Sequence, residues 1–299
     1  MIDKLEMFIA LAREGHFGRA ALACGVTQPT LSSAIKQLED QLGVQLVFRG
    51  SRFQGLTPEG QRVLDRARRI VSDTRSLRDE MRSLRSGLAG TLRIGVIPTA
   101  LPMVSDLTTP FLRRHPDVRV TILSRTSAEI LAGIERFDLD AGITYLDNEP
   151  LGKVSQVPLY SEFYRLVCAP SAPLAGRDSV TWADLAALPP DLPLCLLTGD
   201  MQNRRIINQH LAEAGGAARP AVESNSTITL VAHVLTGHWV SVLPKKLADL
   251  FVQPGQLQAI PIVAPEAEHL VGLIAAHREP NTPLIAALLE AARRMAAVR

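Results

Sequence analysis

The chain is poor in cysteine and has no long apolar run, and both shortages exclude classes of protein. Its 299 residues include three cysteines, Cys24, Cys168 and Cys195, which are too scattered for a disulfide framework or a metal site. A redox switch at Cys195 would need a second thiol nearby, and none is close in the sequence. No apolar run approaches the ~18 residues that a membrane-spanning helix needs. The N-terminus alternates in charge and has no apolar signal region, so we expect a cytoplasmic protein that does not associate with membranes.

Short motifs typical of enzymes are also missing. The chain has no GxxxxGKS, GxxxxGKT or GxGxxG phosphate-binding loop, no GxSxG nucleophile turn and no HExxH zinc motif. Its histidines show no metal-ligand spacing. We therefore expect a protein without catalytic residues, cofactor or bound metal. An enzyme with a carboxylate pair in a cleft is the rival hypothesis.

Positive charge is concentrated in the first 90 residues. They contain 14 Lys and Arg against 10 Asp and Glu, which gives +4, whereas the remaining residues contain 18 against 20, which gives −2. The two values sum to the net charge of +2. A basic N-terminal part is the expected location of contacts with nucleic-acid phosphates.

Residues 17 to 43 have the pattern of a helix-turn-helix. After a turn at Gly25, Thr27 caps a helix that has Pro29 in its first turn and ends at Gly43. One face of this helix is apolar and consists of Leu31, Ala34, Ile35, Leu38 and Leu42. The opposite face is polar and consists of Gln28, Thr30, Ser32, Ser33, Lys36 and Gln37. Such a face suits base edges and phosphates in a DNA major groove, although an amphipathic surface helix of any globular protein gives the same pattern.

The following segment favours the DNA-binding interpretation because it has the pattern of a β-wing. Residues 44–49 alternate loosely as in a short strand, and residues 50–55 form a turn with two glycines. Thr57 then caps another helix, with a proline and an acidic residue in its first turn. In such a wing, Arg49 and Arg52 are predicted to contact phosphates or the minor groove.

Residues 1 to 60 resemble the winged helix-turn-helix of the LysR-type transcriptional regulators. The matching stretches are Phe8, Gly15-His16-Phe17, Ala20-Ala21, Thr27-Gln28-Pro29-Thr30-Leu31-Ser32, Ile35-Lys36-Gln37-Leu38-Glu39, Leu42-Gly43-Val44, Leu46, Arg49 and Leu56-Thr57-Pro58-Glu59-Gly60. Two features depart from the family pattern: the aromatic residue often found at Val47 lies at Phe48, and Ser33 replaces a frequent basic residue. The resemblance implies double-stranded promoter DNA as a partner, contacted by Thr27, Gln28, Pro29, Thr30, Ser32, Ser33, Lys36, Arg49 and Arg52.

The helix after the wing is predicted to pair with a second copy of the chain. From Thr57 to about Ser86, no proline follows Pro58 and no glycine follows Gly60. Apolar or small residues recur at alternating spacings of four and three, with charged residues beside them. This seam consists of Val63, Ala67, Ile70, Thr74, Leu77, Met81 and Leu84. It favours a partner helix over packing on the same chain, and the resemblance implies the same dimerisation helix.

After a break at residues 87–90, the chain changes to an α/β pattern. Strands predicted over 91–97, 118–123 and 139–144 alternate with helices, which indicates a parallel sheet with helices on its faces. The remaining predicted elements are strands near 163–169, 219–223, 239–243, 258–262 and 270–276 and a final helix from about Pro283.

These elements predict an α/β fold preceded by an all-α winged helix-turn-helix. The expected domains are 1–60 for DNA binding, 57–90 for the linker helix and hinge, and 91–299 for effector binding. The last would comprise lobe I, about 91–161 and 266–299, and lobe II, about 162–265. The resemblance implies that this two-lobed domain has the type 2 periplasmic-binding-protein fold.

Polar residues follow several predicted strands, where open α/β sheets bind ligands near helix N-termini. The candidate effector-binding residues are Pro98, Thr99, Thr126, Ser127, Thr144, Tyr145, Asn203, Arg204, Asn225 and Ser226. Each by itself is typical of a helix cap, but together they predict a polar cleft suited to a small anion, with Arg204 as a carboxylate anchor. The pattern is similar to that of family members linked to formate metabolism, so we expect a small carboxylate such as formate.

Together, these patterns predict a transcriptional regulator whose promoter activity is controlled by a small-molecule effector. The expected partners are promoter DNA, the effector, RNA polymerase and further copies of the chain. The seam indicates a dimer, and the resemblance implies a tetramer built from two dimers. A solute-binding protein is a third hypothesis, which the N-terminus and the wing argue against. The effector, the operator and the sign of regulation stay open at this stage.

Overall fold

The structure is a computed structural model that describes residues 1–48, 53–147, 149–190, 192–252 and 255–297, apart from the side chains of 79 and 82–86. The chain divides into two compact units, Met1–Leu88 and Ala89–Arg299. In the predicted break, Gly87 and Gly90 have φ values of 87° and 137°. Glycine adopts these values without strain.

The first unit contains helices around one apolar core. In the described residues these are α1 (Ile2–Glu14), α2 (Phe17–Ala23), α3 (Gln28–Leu42) and α4 (Pro58–Ser86). The Thr27 hydroxyl caps α3 by accepting a hydrogen bond from the Thr30 N–H at 3.4 Å, as the sequence predicted. Most of the predicted apolar face of α3 lies in the core, but Leu42, at its end, is exposed.

The segment between α3 and α4 is positioned by a side chain rather than by a regular strand. Glu39 Oε1 accepts hydrogen bonds from the backbone N–H groups of Leu46 at 2.7 Å and Val47 at 3.2 Å. Within the described residues, the strand predicted over 44–49 is reduced to one antiparallel bridge between Val47 and Leu56. The start of the wing, at Leu46 and Val47, is therefore held in place by α3.

α4 has a face that is buried in its own unit and a face that is exposed. The buried residues are Leu64, Ala67 and Val71. The exposed apolar residues are Ile70, Leu77 and Met81, with exposed fractions of 45%, 57% and 47%. Ala67 therefore belongs to intrachain packing rather than to the predicted seam, because the helix turns this position toward the core. The side chain of Leu84 lies outside the described residues.

The second unit is built from strands and helices that largely alternate. In chain order they are β1 (Gly90–Val96), a 3₁₀ helix (Pro98–Met103), α5 (Val104–Arg114), β2 (Val118–Ser124), α6 (Ser127–Glu135), β3 (Ala141–Tyr145), β4 (Val154–Cys168), β5 (Val180–Thr181), α7 (Trp182–Ala186), β6 (Cys195–Leu197), α8 (Gln202–Glu213), β7 (Val222–Ser224), α9 (Thr227–Leu235), β8 (Ser241–Pro244), α10 (Lys245–Phe251), β9 (Gln258–Val263), β10 (Glu268–Ala276) and α11 (Pro283–Ala297). None of the helices in the described part of the chain is long and apolar enough to span a membrane.

In lobe I, β1 pairs in parallel with β2 and β3, as the sequence predicted. The antiparallel strand β10 pairs with β3 and returns the chain to this lobe. In lobe II, β6 pairs in parallel with β7, and β5 pairs in parallel with β9. The short elements β5, β6 and α7 were not predicted, since two to five residues give no readable periodicity.

β4 joins the two lobes. Its residues 154–163 pair with β10, and its residues 164–168 pair with β8 and β9. The change of partner lies next to the predicted lobe boundary at residue 162. The strand begins at Val154, earlier than predicted, because its residues 154–163 pair with β10.

Candidate DNA-contacting surface and effector cleft

The polar face of α3, together with its N-cap, forms an exposed surface, which we call the DNA-contacting surface. Its exposed predicted residues are Thr27, Gln28, Pro29, Thr30, Ser32, Ser33 and Lys36. The Thr27 and Thr30 hydroxyls share a hydrogen bond of 2.8 Å, which orders the start of the helix. Amide, hydroxyl and ammonium groups on one exposed helix face can contact base edges and phosphates. Arg49 and Arg52, the predicted wing contacts, lie outside the described residues.

Most of the predicted effector residues are buried in the second unit. The buried ones are Pro98, Thr99, Thr126, Ser127, Thr144, Tyr145, Asn203 and Arg204. Thr144 and Tyr145 point to opposite faces of β3, as successive strand residues do, so they do not serve one site together. Asn225 is exposed and Ser226 is half-buried. No hydrogen bond within the described ranges joins either of these two to the buried set.

Three contacts tie the first turns of α8 to lobe I. The Ser127 hydroxyl donates to Gln202 Oε1 at 2.8 Å, and Gln202 Nε2 donates to the Asp147 carbonyl oxygen at 3.2 Å. Arg205 forms an ion pair with Glu149. The N-termini of α6 and α8, from different lobes, therefore meet. No side chain caps α8, so its first backbone N–H groups are suited to an anionic ligand.

Arg204 is engaged inside lobe II. Its Nη1 donates to the Leu197 carbonyl oxygen at 2.9 Å and forms an ion pair with Glu223. Its Nε donates to Asn208 Oδ1 at 2.8 Å. The guanidinium thus holds α8 against β6 and β7, and this arrangement does not support its predicted role as a carboxylate anchor.

A buried hydrogen-bonded group, which we call the Glu162 cluster, consists of Tyr145, Glu162, Tyr164 and Asn203. Glu162 Oε1 accepts hydrogen bonds from the hydroxyl of Tyr145 and, at 3.3 Å, from that of Tyr164. Asn203 Nδ2 donates to the Tyr145 hydroxyl at 3.5 Å. Glu162 is only 2% exposed, yet its Oε2 has no hydrogen-bond partner within the described residues. An unpaired buried polar atom costs about 1–3 kcal/mol, so a ligand atom at Oε2 would be stabilising.

The Glu162 carboxyl changes its protonation near neutral pH. Burial raises the pKa of Glu162 from its ordinary value of 4.5 to about 7. Asp147 raises this pKa further, whereas the tyrosine hydrogen bonds and Lys246 lower it. Burial is also the main cause that raises the pKa of Tyr145 and of Tyr164 well above the ordinary value. Both phenols therefore keep their protons and remain hydrogen-bond donors to Glu162.

Aromatic rings pack around the Glu162 cluster and explain its burial. The His269 ring lies edge-on to Tyr145 and Tyr164, at centroid distances of 6.2 Å and 6.0 Å. Trp182 packs on Tyr164 at 6.2 Å. His269 Nδ1 lies 3.1 Å from Asp147 Oδ2. The cluster is thus held in an environment of low polarity, with an acid–imidazole contact at its edge.

The sequence analysis did not identify Glu162 or His269 as site residues. A signal for Glu162 exists, because Tyr160, Glu162 and Tyr164 alternate along β4 and share one face. An acidic residue between aromatic residues on such a face indicates a buried polar site. For His269 no local signal exists, since its position depends on its pairing with Glu162 across β10 and β4.

The cysteines are not arranged for thiol chemistry. Cys168 and Cys195 are fully buried, and burial raises the pKa of each to about 11. Cys24 lies in the first unit, and burial raises the pKa of its thiol too. The thiolate, which is the reactive form, is therefore disfavoured at all three positions.

Two family profiles match the chain. The one described as "Bacterial regulatory helix-turn-helix protein, lysR family" matches residues 2–61. The one described as "LysR substrate binding domain" matches residues 85–297. Between them they cover the DNA-contacting surface and both lobes.

Individual proteins that resemble the chain are transcriptional regulators by name. The Escherichia coli K12 "DNA-binding transcriptional dual regulator OxyR" is 31% identical over 284 residues, which cover 95% of this chain and 90% of that protein. Full-length OxyR from Pseudomonas aeruginosa, in a cysteine-to-aspartate variant, is 29% identical, with a TM-score of 0.73 and coverage of 98% and 94%. CbnR, a LysR family regulator solved with its target DNA, has a TM-score of 0.69 at 23% identity and coverage of 99% and 100%. At that identity CbnR shows the fold alone.

Proposed function

Because the chain belongs to the LysR family of transcriptional regulators, we propose that it binds promoter DNA through α3 and alters promoter activity when a small carboxylate binds between its lobes. The observation that carries the proposal is the buried Glu162 cluster in the second unit, in which Glu162 Oε2 has no hydrogen-bond partner within the described residues. The first unit of the same chain has the exposed, polar face of α3. Its relatives are named as regulators, and we propose no enzymatic activity. Its place of action is the cytoplasm, with RNA polymerase as a partner.

The DNA-contacting surface supports binding in the major groove. Gln28 is an amide at the start of α3, Ser32 is a hydroxyl one turn later, and Lys36 is a cation one further turn along. Amides and hydroxyls distinguish bases, whereas a lysine contributes phosphate contacts that weaken as salt rises. The wing arginines Arg49 and Arg52 belong to the same proposed contact set.

Self-association is supported by the exposed apolar residues of α4. Ile70, Leu77 and Met81 recur at intervals of seven and four residues along one helix. A second copy of the same helix would cover them, and two heads would then contact two half-sites. We propose this dimer as the basic unit and a tetramer as its assembled form.

The pairing of α4 helices is tested by changing Leu77→Asp together with Met81→Asp. We expect a monomer in light scattering and loss of binding to an operator with two half-sites. Leu235→Asp together with Leu250→Asp is the control, because it places the same two charges on exposed leucines outside α4. Unchanged mass and operator affinity in the double variant would contradict the proposed dimer.

A carboxylate effector is supported by the donors around the cleft. The first turn of α8 offers uncapped N–H groups and the Asn203 amide, whereas the Ser127 hydroxyl already donates its proton to Gln202 Oε1. Other relatives are named "Hydrogen peroxide-inducible genes activator", which points instead to hydrogen peroxide. A peroxide sensor based on cysteine is the second candidate function, but the buried, protonated state of Cys168 and Cys195 argues against it.

One binding experiment separates these two functions. Fluorescence anisotropy on full-length protein and DNA upstream of a neighbouring gene should show affinity that falls steeply with salt. We expect sodium formate or sodium acetate to change the affinity or the footprint, and hydrogen peroxide to change neither. A peroxide response that disappears in Cys168→Ser or Cys195→Ser protein, without a carboxylate response, would replace the carboxylate effector with thiol sensing.

A further inference from the structure

Glu162 places an unpaired oxygen close to the point where β4 passes from lobe I to lobe II. β4 changes its partner from β10 to β8 after Phe163, the next residue along the strand. The Tyr145 hydroxyl that donates to Glu162 Oε1 also accepts from Asn203 in the uncapped first turn of α8. Two hydrogen bonds therefore connect the Glu162 carboxyl, through Oε1, to the Asn203 side chain in the helix turn whose backbone N–H groups suit an anion.

The hydrogen-bond pattern determines where a proton on Glu162 must lie. Oε1 already accepts from two phenols, Tyr145 and Tyr164, so a proton on the carboxyl lies on Oε2. A buried O–H group without an acceptor is unfavourable, and a ligand carboxylate supplies that acceptor. A charged Glu162 would instead repel the same ligand.

We infer that Glu162 donates a hydrogen bond from Oε2 to the effector carboxylate, so that each effector anion binds together with one proton. This inference rests on the proposed carboxylate effector. When Glu162 starts ionised, the proton comes from solvent, and the two carboxyl groups then share one proton and one negative charge. The N-terminus of α8 stabilises the remaining charge.

Other ionisable groups face Glu162 from the neighbouring elements. They are Tyr145 from β3, Asp147 after β3, Tyr164 from β4, Lys246 from α10 and His269 from β10. The phenols keep their protons, Asp147 contacts His269, and the Lys246 ammonium lies 4.2 Å from the centre of the Tyr160 ring. His269 lies directly opposite Glu162 across β10 and β4, so its replacement provides the control.

The test is isothermal titration calorimetry on the full-length protein, with sodium formate and sodium acetate as probes. Repeating each titration in two buffers of different ionisation enthalpy counts the protons taken up. For a Glu162 pKa of about 7, one-proton linkage predicts that the dissociation constant rises about thirtyfold from about pH 6 to about pH 8.5. We also expect about one proton taken up per bound anion at about pH 8.5.

Variants separate Glu162 from its neighbours. Glu162→Gln keeps a neutral donor, so we expect binding without proton uptake and without the pH dependence. His269→Gln should retain both the proton uptake and the pH dependence of binding. Tyr164→Phe removes a hydrogen bond that lowers the pKa of Glu162, so it should move the weakening of binding to higher pH. This variant serves as the second test if Glu162→Gln does not fold.

The outcomes distinguish this inference from the proposed function. Carboxylate binding without proton uptake at about pH 8.5 would overturn the role of Glu162 and leave the carboxylate effector standing. Uptake that persists in Glu162→Gln but disappears in His269→Gln would also overturn it. Absence of binding by either probe at every pH would overturn both the inference and the carboxylate effector.

Discussion

The two units of the chain differ in the solvent exposure of the polar side chains that we propose bind a ligand. In the first unit, the residues proposed to meet a ligand are exposed along α3. In the second, the residues proposed to meet the effector are buried, among them Ser127, Tyr145 and Asn203. The difference matches the sizes of the two proposed ligands, because DNA is contacted by a surface, whereas a small anion must be enclosed to displace water from its donors.

The same difference determines which electrostatic effects operate in each unit. The exposed groups on α3 are proposed to interact with DNA through charge that salt screens. At the proposed effector site, burial raises the pKa of Glu162 to about 7, so we expect binding there to depend on protons as well as on charge. The first unit is thus expected to respond to ionic strength, and the second to pH.

The largest predicted effect tests how α4 is divided between its own unit and a partner. Ala67 is 1% exposed, so Ala67→Asp buries an unpaired charge and should cost about 3 kcal/mol or more, enough to unfold the first unit. Ile70→Asp, three residues away and 45% exposed, should change stability by less than about 0.5 kcal/mol while weakening the dimer. Urea unfolding and light scattering measure both. Equal destabilisation by the two variants would contradict the division of α4 into a face buried in its own unit and a face available to a partner.

A second prediction tests whether the units fold independently. Leu38 in the first unit and Leu273 in the second are both fully buried. Each change to alanine should cost about 2–5 kcal/mol within its own unit. Leu38→Ala should therefore lower operator binding and leave carboxylate binding intact, and Leu273→Ala should do the reverse. Calorimetric scans should show one transition shifting in each variant. A joint shift of both transitions would mean that the units unfold as one.

The predictability of the two units from the sequence also differs, for physical reasons. The first unit is dominated by local signals, and the Thr27 cap and the apolar spacing of α3 are correct because they depend on residues within one helix. The parallel pairing of β1 with β2 and β3 was also predictable, because strands and helices alternate along that part of the chain. The Glu162 cluster was not, since the pairing of His269 with Glu162 joins residues far apart in the chain. Likewise, the ion pair between Arg204 and Glu223 depends on tertiary packing, which no local sequence pattern predicts.

The third prediction uses the raised pKa of Glu162 to set a pH dependence of stability. Between 4.5 and about 7 the folded protein holds this proton more tightly than the unfolded chain. Stability therefore falls as pH rises through that window, by about 1.4 kcal/mol per pH unit and about 3 kcal/mol in all. The Glu162→Gln variant has no carboxyl at this position, so it lacks this pH-dependent contribution to stability. Urea unfolding from about pH 5 to about pH 8, without effector, should show the wild type losing stability relative to the variant. Parallel curves would show that Glu162 titrates as an exposed acid.

The smallest predicted effect concerns a single phosphate or base contact on the DNA-contacting surface. Lys36 is exposed and projects from the polar face of α3, so Lys36→Gln should leave the fold unchanged. Loss of one cation should weaken operator binding by about 1 kcal/mol and reduce the slope of log affinity against log salt by about 1 for each half-site. Lys245→Gln in the second unit is the matched control, since it removes an exposed lysine that pairs with Asp249. Anisotropy at several salt concentrations measures both slopes. A slope that changes equally in the two variants would mean that Lys36 acts only through net charge and not through a contact with DNA.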